Sequence, residues 1–272
     1  MKSAVTVCLV PEAKLGPFVF HTGLVEGCAL AKQAGFDAVE IFPPSAAGID
    51  EGALKAALAQ HGLSVAAVGT GAGWVVRKLS LTSPDPAVRA QARNFIREII
   101  EVAGRFEAPA ILGSMQGRLD ESCPRTDVLG WLGEALEDLG EAAAKLRVPF
   151  LYEPLNRYET NLFNRQQDAA EFLRTLKTRN VRLLCDLFHM AVEEVDLAAT
   201  LRVCGPLVGH VHFADSNRRA IGLGHTDAVP IVAALREIGY AGYLSAEILP
   251  LPDAATAAAT TIAAFRRLVP PA

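Results

Sequence analysis

Four ionisable residues close successive apolar runs in the second half of the chain: Glu153 in PFLYEPLN, Asp186 in RLLCDLFHM, His212 in VGHVHFADSNR and Glu247 in YLSAEILP. They fall at intervals of roughly 30 residues, the length of one strand, one helix and their loops. A repeat of that kind brings them to one place. Three carboxylates so gathered repel one another and lose hydration unless a positive charge sits between them, and a divalent cation supplies it. One imidazole nitrogen with three carboxylates suits Mn²⁺, Mg²⁺ or Co²⁺ better than the thiolate-rich sites that zinc often takes. Any one of the four alone reads equally well as a buried acid or histidine held by a salt bridge; four in register do not.

The elements needed to position them are legible in the hydrophobic pattern. Apolar, β-branched runs predict strands at Ala4–Val10, Asp37–Phe42, Leu63–Val68, Pro109–Gly113, Val148–Glu153, Val181–Asp186, Leu207–Phe213 and Tyr243–Ile248. Ala- and Leu-rich segments with helical spacing predict helices over 21–34, 50–61, 84–105, 125–147, 165–179, 192–203, 227–238 and 253–268. Gly35, Gly62 and Gly239 stand where helices stop; Ser83-Pro84-Asp85 and Asp227 stand where helices start. Strand–helix alternation argues for parallel strands. Eight units in 272 residues, with no linker or composition break, predict a single domain over 1–272, an α/β fold of the (β/α)8 TIM barrel type with a closed parallel sheet. An open doubly wound sheet is the alternative. In the barrel, the C-terminal strand ends form the functional rim, which is where the four residues stand.

Hydrophobic residues make up 51% and charged residues 21% of the chain, a globular balance that excludes a disordered or collagen-like chain. With 26 Lys and Arg against 30 Asp and Glu, the net charge of −4 argues against bulk attraction to nucleic acid or to an anionic membrane surface. No apolar run approaches the ~18 residues of a membrane span. The opening MKSAVTVCLVPEAKLG reads as a first strand, not a cleavable signal, so a cytoplasmic location is expected. Cys8, Cys28, Cys123, Cys185 and Cys204 are odd in number and form no CxxC pair, which fits buried or free thiols.

The segments EPLNRYETNLFNR, CDLFHM, HVHFADSNR and GLGHTD resemble the xylose-isomerase-like superfamily of sugar isomerases and epimerases, most nearly its D-tagatose 3-epimerase and D-psicose 3-epimerase group. The resemblance implies the same barrel along the whole chain, one divalent metal ion held by Glu153, Asp186, His212 and Glu247, and the two glutamates as the catalytic acid/base pair. It implies Mn²⁺ first, with Mg²⁺ or Co²⁺ in its place, a small-molecule sugar or polyol as substrate, and a homo-oligomer, dimer or tetramer. It also assigns substrate contacts to Glu159, His189 and Arg218, and an Arg fork and an imidazole do suit sugar oxygens. Apart from the resemblance, Arg218 reads as a surface loop arginine and Glu159 as a loop carboxylate paired with Arg157 or Arg165.

Such a set supports proton transfer beside a carbonyl, through a metal-stabilised enediolate whose fate decides the product. Proton return on the opposite face inverts the carbon, return to the neighbouring carbon isomerises, and loss of a β-hydroxyl dehydrates. A ketose 3-epimerase is the favoured expectation; a dehydratase of a cyclic keto-polyol such as inosose is the alternative. An endonuclease IV-like enzyme is a remote alternative: it needs a multinuclear zinc cluster and a basic groove, and this net acidic chain has six histidines with only His212 among the four rim residues. A sugar-binding barrel without turnover is the remaining alternative.

Several nearby residues have two readings. His210, two residues before His212 and one layer deeper on the same strand face, reads as a hydrogen-bonded supporting residue, not a ligand. Glu40 in AVEIF faces the rim or makes a structural salt bridge, and His225 in GLGHTD approaches the site or is solvated. Trp74, Arg77 and Lys78 follow the third strand in a Gly-rich segment that forms a lid or sugar wall, or else packs on the barrel end. Gln116 and Arg118 are candidates for reading the far end of a substrate, Arg118 through an anionic group.

Overall fold

The computed structural model describes residues 1–270. Strands β1 (Lys2–Cys8), β2 (Ala38–Phe42), β3 (Ser64–Gly69), β4 (Ala110–Leu112), β5 (Phe150–Tyr152), β6 (Val181–Asp186), β7 (Val208–His212) and β8 (Tyr243–Ala246) pair in sequence order, all parallel. Lys2 pairs with Tyr243 and Val5 with Ala246, which closes the sheet on itself. The expected (β/α)8 barrel is therefore the fold, and the open sheet is excluded.

Helices Leu24–Ala34, Glu51–His61, Pro86–Gly104, Arg125–Lys145, Gln166–Thr175, Leu197–Cys204, Ala228–Glu237 and Ala254–Leu268 each follow one strand. Aspartates 50, 85, 196, 227 and 253 start five of them by accepting a backbone N–H. Gly35 and Gly62 stop the helices Leu24–Ala34 and Glu51–His61 in the left-handed region, with φ of 96° and 61°. Side chains alternate across each strand, so Ala67, Ile111, Leu151 and Leu184 gather into a small apolar cluster separate from the main core. Two residues further along β5 and β6, the same face delivers Glu153 and Asp186.

Several boundaries depart from expectation. The β4 and β5 ladders are only three residues long; beyond β4 the backbone turns at Gly113, with φ −103° and ψ −108°. β1 is shifted toward the N-terminus by its pairing with β8, and β8 stops at Ala246 because the Glu247 N–H turns back to Ser245 O at 3.1 Å. The helix expected over 192–203 is two helices, Leu187–Glu193 and Leu197–Cys204, capped by Asp186 and Asp196. A short extra helix, Ala72–Arg77, fills the Gly-rich segment after β3. All five cysteines are free, and no helix among the described residues is long and apolar enough to cross a membrane.

Candidate metal centre and surrounding site

The four rim residues converge. His212 Nδ1 lies 3.4 Å from Glu153 Oε1, 3.5 Å from Asp186 Oδ2 and 3.4 Å from Glu247 Oε2, and the four donor atoms all fall within 4.8 Å of one another. Glu153 Oε1, Asp186 Oδ2 and His212 Nδ1 are buried with no hydrogen-bond partner. Leaving three such atoms unpaired in a dry interior is costly. A divalent cation would satisfy all of them together, so the residues present fit that group.

Local structure explains the aim of two of these side chains. Asp186 ends β6 and caps the next helix, Oδ1 accepting the Phe188 N–H at 2.7 Å; that leaves Oδ2 for the centre. The Glu153 backbone is clamped from both sides: its N–H donates to Leu112 O at 3.0 Å, and its carbonyl accepts from Gln116 Nε2 at 2.8 Å. Gly113 leaves room for the carboxylate, because a Cβ built there would stand 2.5 Å from Glu153 Oε2. Gly113→Ala is accordingly expected to push the carboxylate off the centre and to lower turnover about 10²-fold. Parallel Mn²⁺ titration and steady-state kinetics check this; native values for both would contradict it.

A second cluster, Glu40 with His210 and His212, is also compact enough to hold an ion. Hydrogen bonds already account for it: Glu40 Oε2 lies 2.8 Å from His210 Nε2, and Oε1 lies 3.1 Å from His212 Nε2. His210 is thus hydrogen-bonded as expected from its position, and Glu40 both makes the buried pairs and borders the rim cavity.

The charges are strongly coupled. Burial raises Glu247 to about 7, the neighbouring Glu153 and Asp186 charges adding to the rise while His212 and Arg218 oppose it. Burial also pulls Asp186 upward, yet His189, His212 and Arg218 together hold it below the usual carboxylate range. His212, which burial alone would lower, is pushed well above an ordinary histidine by Glu247 and Glu40 and by its contacts with Asp186 and Glu153.

Glu159, His189 and Arg218 stand around this centre. Arg218 Nη2 donates to Glu247 Oε2 at 2.6 Å, its Nη1 lies 3.5 Å from Glu159 Oε1, and the guanidinium sits over the Phe188 ring at 4.8 Å. Neither expected partner of Glu159 is its partner: Arg157 pairs with Glu193 and Arg165 with Glu194. The Asn156 backbone N–H donates to His189 Nδ1 at 3.2 Å. Nδ1 is therefore an acceptor, and the imidazole proton lies on Nε2, a buried atom without a partner.

Two supporting residues escape sequence reasoning. Asn156 has no local signal, since its target lies beyond the next strand. Asp215 carries the Asx-turn signal of ADSN: it is wholly buried and accepts the N–H groups of Ser216, Gly222 and Thr226. It thereby shapes the loop that presents Arg218, whose own φ is 58°.

A cavity of 820 Å³ opens on the rim, walled by Glu153, Glu159, His189, Arg218 and Glu247 on one side and by Phe42 and Trp74 on another. Trp74 lines it as a wall, and Lys78 lies over the Trp74 ring at 5.1 Å. Arg77 instead packs on Phe95 at 5.4 Å. Arg118 reaches the outer cavity, donating to Tyr158 O at 3.3 Å. Gln116 does not face a substrate: it is wholly buried, bonded to Gly113 O and Glu153 O, and accepts the Tyr152 hydroxyl at 2.7 Å. His225 does not reach the centre; it is exposed and borders a separate cavity of 380 Å³.

Residues 28–268 match the family described as xylose isomerase-like TIM barrel. The chain is 31% identical to the D-psicose 3-epimerase of Ruminiclostridium cellulolyticum, over 76% of this chain and 72% of that protein. It is 32% identical to the L-ribulose 3-epimerase of Mesorhizobium japonicum, over 80% of this chain and 73% of that one. A solved structure of an L-ribulose 3-epimerase superposes with a TM-score of 0.81 at 25% identity, covering 97% of this chain and 93% of the other.

Proposed function

The chain belongs to the xylose isomerase-like TIM barrel family, and from that premise we propose that it is a metal-dependent ketose 3-epimerase. The observation that carries this reading is the pair Glu153 and Glu247, two carboxylates each with an oxygen 3.4 Å from His212 Nδ1 at one orphaned centre. Relatives named for 3-epimerisation of psicose and ribulose support the reaction class.

Glu153, Asp186, His212 and Glu247 would hold the ion, Mn²⁺ or in its place Mg²⁺ or Co²⁺, as their hard oxygen-rich donor set favours. When bound, such an ion polarises a substrate carbonyl and makes the adjacent C–H more acidic. The chain's own residues supply the proton chemistry. One of Glu153 and Glu247 removes the C3 proton, and the other returns a proton to the opposite face; their roles exchange with the direction of reaction. Arg218 restrains the Glu247 carboxylate through its 2.6 Å bond and offers remaining N–H groups to sugar oxygens. His189 presents Nε2–H to a substrate oxygen, while Glu159, steadied by Asn156 Nδ2 at 3.3 Å, accepts from a hydroxyl. Phe42 and Trp74 give the apolar face of the sugar a wall. A small-molecule sugar substrate and a homo-oligomer, both supported by the family resemblance, complete the proposal, together with a cytoplasmic location.

Incubation of the Mn²⁺-loaded protein with free ketoses in D₂O tests it. Deuterium is expected at C3 of both epimers, followed by NMR. Label confined to C1 would replace epimerisation by aldose–ketose isomerisation, and net loss of water from an inosose with no epimer formed would replace it by dehydration.

A further inference from the structure

Glu40 stands on β2 and meets His210 and His212 of β7, strands separated in the closed sheet by β8 and β1. Its carboxylate therefore reaches through the barrel interior, where it is almost fully buried. Both oxygens are engaged, Oε2 with His210 Nε2 at 2.8 Å and Oε1 with His212 Nε2 at 3.1 Å. An ionised carboxylate only accepts hydrogen bonds, so both imidazoles donate from Nε2. The neutral His212 ring then carries no proton on Nδ1, and its lone pair lies on the side where Glu153, Asp186 and Glu247 converge. The opposite tautomer would direct an N–H into the ligand set and exclude a cation.

We propose that Glu40 is a positioning residue for divalent-ion binding, selecting the Nε2–H tautomer of His212, fixing its ring plane and adding negative charge behind the ligand. His210 completes the device. Its ring lies nearly perpendicular to that of His212, at 87° with centroids 5.6 Å apart, and its N–H occupies the second oxygen. Rotation of the carboxylate toward one ring would lose the other. A buried charge is weak evidence for stability by itself, because a well-packed apolar replacement often serves as well. Here the charge has a specific recipient, since a carboxylate behind a metal-binding histidine raises the basicity of the ligand nitrogen.

The inference rests on the reading of Glu153, Asp186, His212 and Glu247 as the ion's ligands. Mn²⁺ binding, followed by EPR titration of free Mn²⁺, tests it on Glu40→Gln, which removes the charge and puts an NH₂ donor in place of one of the two oxygens that accept from His210 and His212. Affinity is expected to fall about 10- to 100-fold with the fold retained by circular dichroism. His210→Gln, which can still offer an N–H to Glu40 and leaves the Glu40–His212 bond in place, is expected to weaken binding less than Glu40→Gln does; a larger loss than in Glu40→Gln would contradict the assignment of the role to Glu40. A folded Glu40→Gln variant with native affinity would overturn the role of Glu40 alone, whereas a native protein that binds no Mn²⁺ would remove the metal centre and this inference together. If Glu40→Gln fails to fold, long-range ¹H–¹⁵N spectra of the native Mg²⁺-loaded protein decide: Nε2–H tautomers at both His210 and His212 are expected, and an Nδ1–H tautomer at either would refute the arrangement.

Discussion

Glu153→Gln and Glu247→Gln are each expected to lower epimerisation by about 10²- to 10⁴-fold at saturating Mn²⁺. Glutamine keeps the size of the side chain and an oxygen for coordination but cannot carry the proton. The informative part is what survives. With two carboxylates addressing opposite faces of C3, removing one leaves the other able to take a proton from one epimer and return it to the same face. Each variant should therefore exchange C3 hydrogen with D₂O without inversion, and the two variants should do so with different epimers. Mirror-image exchange of this kind separates a lost proton carrier from a generally damaged site. Native epimerisation in either variant, or exchange of both epimers in both, would refute the two-base assignment. The Arg218 bond at 2.6 Å adds a distinction, since Glu247→Gln also removes the charge from that pair and should raise KM more than Glu153→Gln does.

Chelation of the divalent ion is expected to lower Tm substantially, by an amount that depends on pH. An ion present at about 1,000 times its Kd stabilises the folded state by about 4 kcal/mol, or about 8–16 °C for a chain of this size class. In the ion-free protein, burial raises Glu247 from 4.5 to about 7. A raised carboxyl contributes stability that is fully present below its unfolded value and is lost as pH rises through its folded value. The ion-free protein therefore loses stability between about pH 4.5 and 7, as Glu247 ionises beside Glu153 and Asp186. The loaded protein holds Glu247 ionised throughout, so the Tm gap widens from about pH 5 to about pH 8. Asp186→Asn removes one candidate ligand, so Mn²⁺ should add nothing to its Tm; because His189, His212 and Arg218 hold the native carboxyl below the usual range, its ion-free Tm should fall below that of ion-free native protein. Scanning calorimetry with EDTA and with Mn²⁺ at both pH values measures all of this. A Tm indifferent to chelation would contradict the metal centre.

The residues of the centre are legible in sequence because the information that places them is local. Glu153 and Asp186 each stand two residues beyond an inward-facing leucine, Leu151 or Leu184, and His212 stands two beyond His210. Strand alternation and the common direction of parallel strands turn that position into the rim. Local order says less about partners. Glu159 has Arg157 and Arg165 close by in the chain, yet the structure takes both away, to Glu193 and Glu194 on the segment after β6, and turns Glu159 toward Arg218. Gln116 sits in a loop that reads as substrate-facing, but the three-residue β4 and β5 draw it inward to clamp the Glu153 backbone.

By itself, then, the amino-acid order determined the barrel, the identity of the four candidate ligands and the family likeness, since period, caps and strand polarity are properties of neighbouring residues. Tertiary structure alone decided the protonation and aim of each group: Asn156 placing the proton on His189 Nε2, Glu40 holding His212 from the far side of the barrel, Gly113 leaving space for Glu153. Those contacts join loops and strands between 33 and 172 residues apart. Closing the barrel is what brings such separations within the reach of one hydrogen bond.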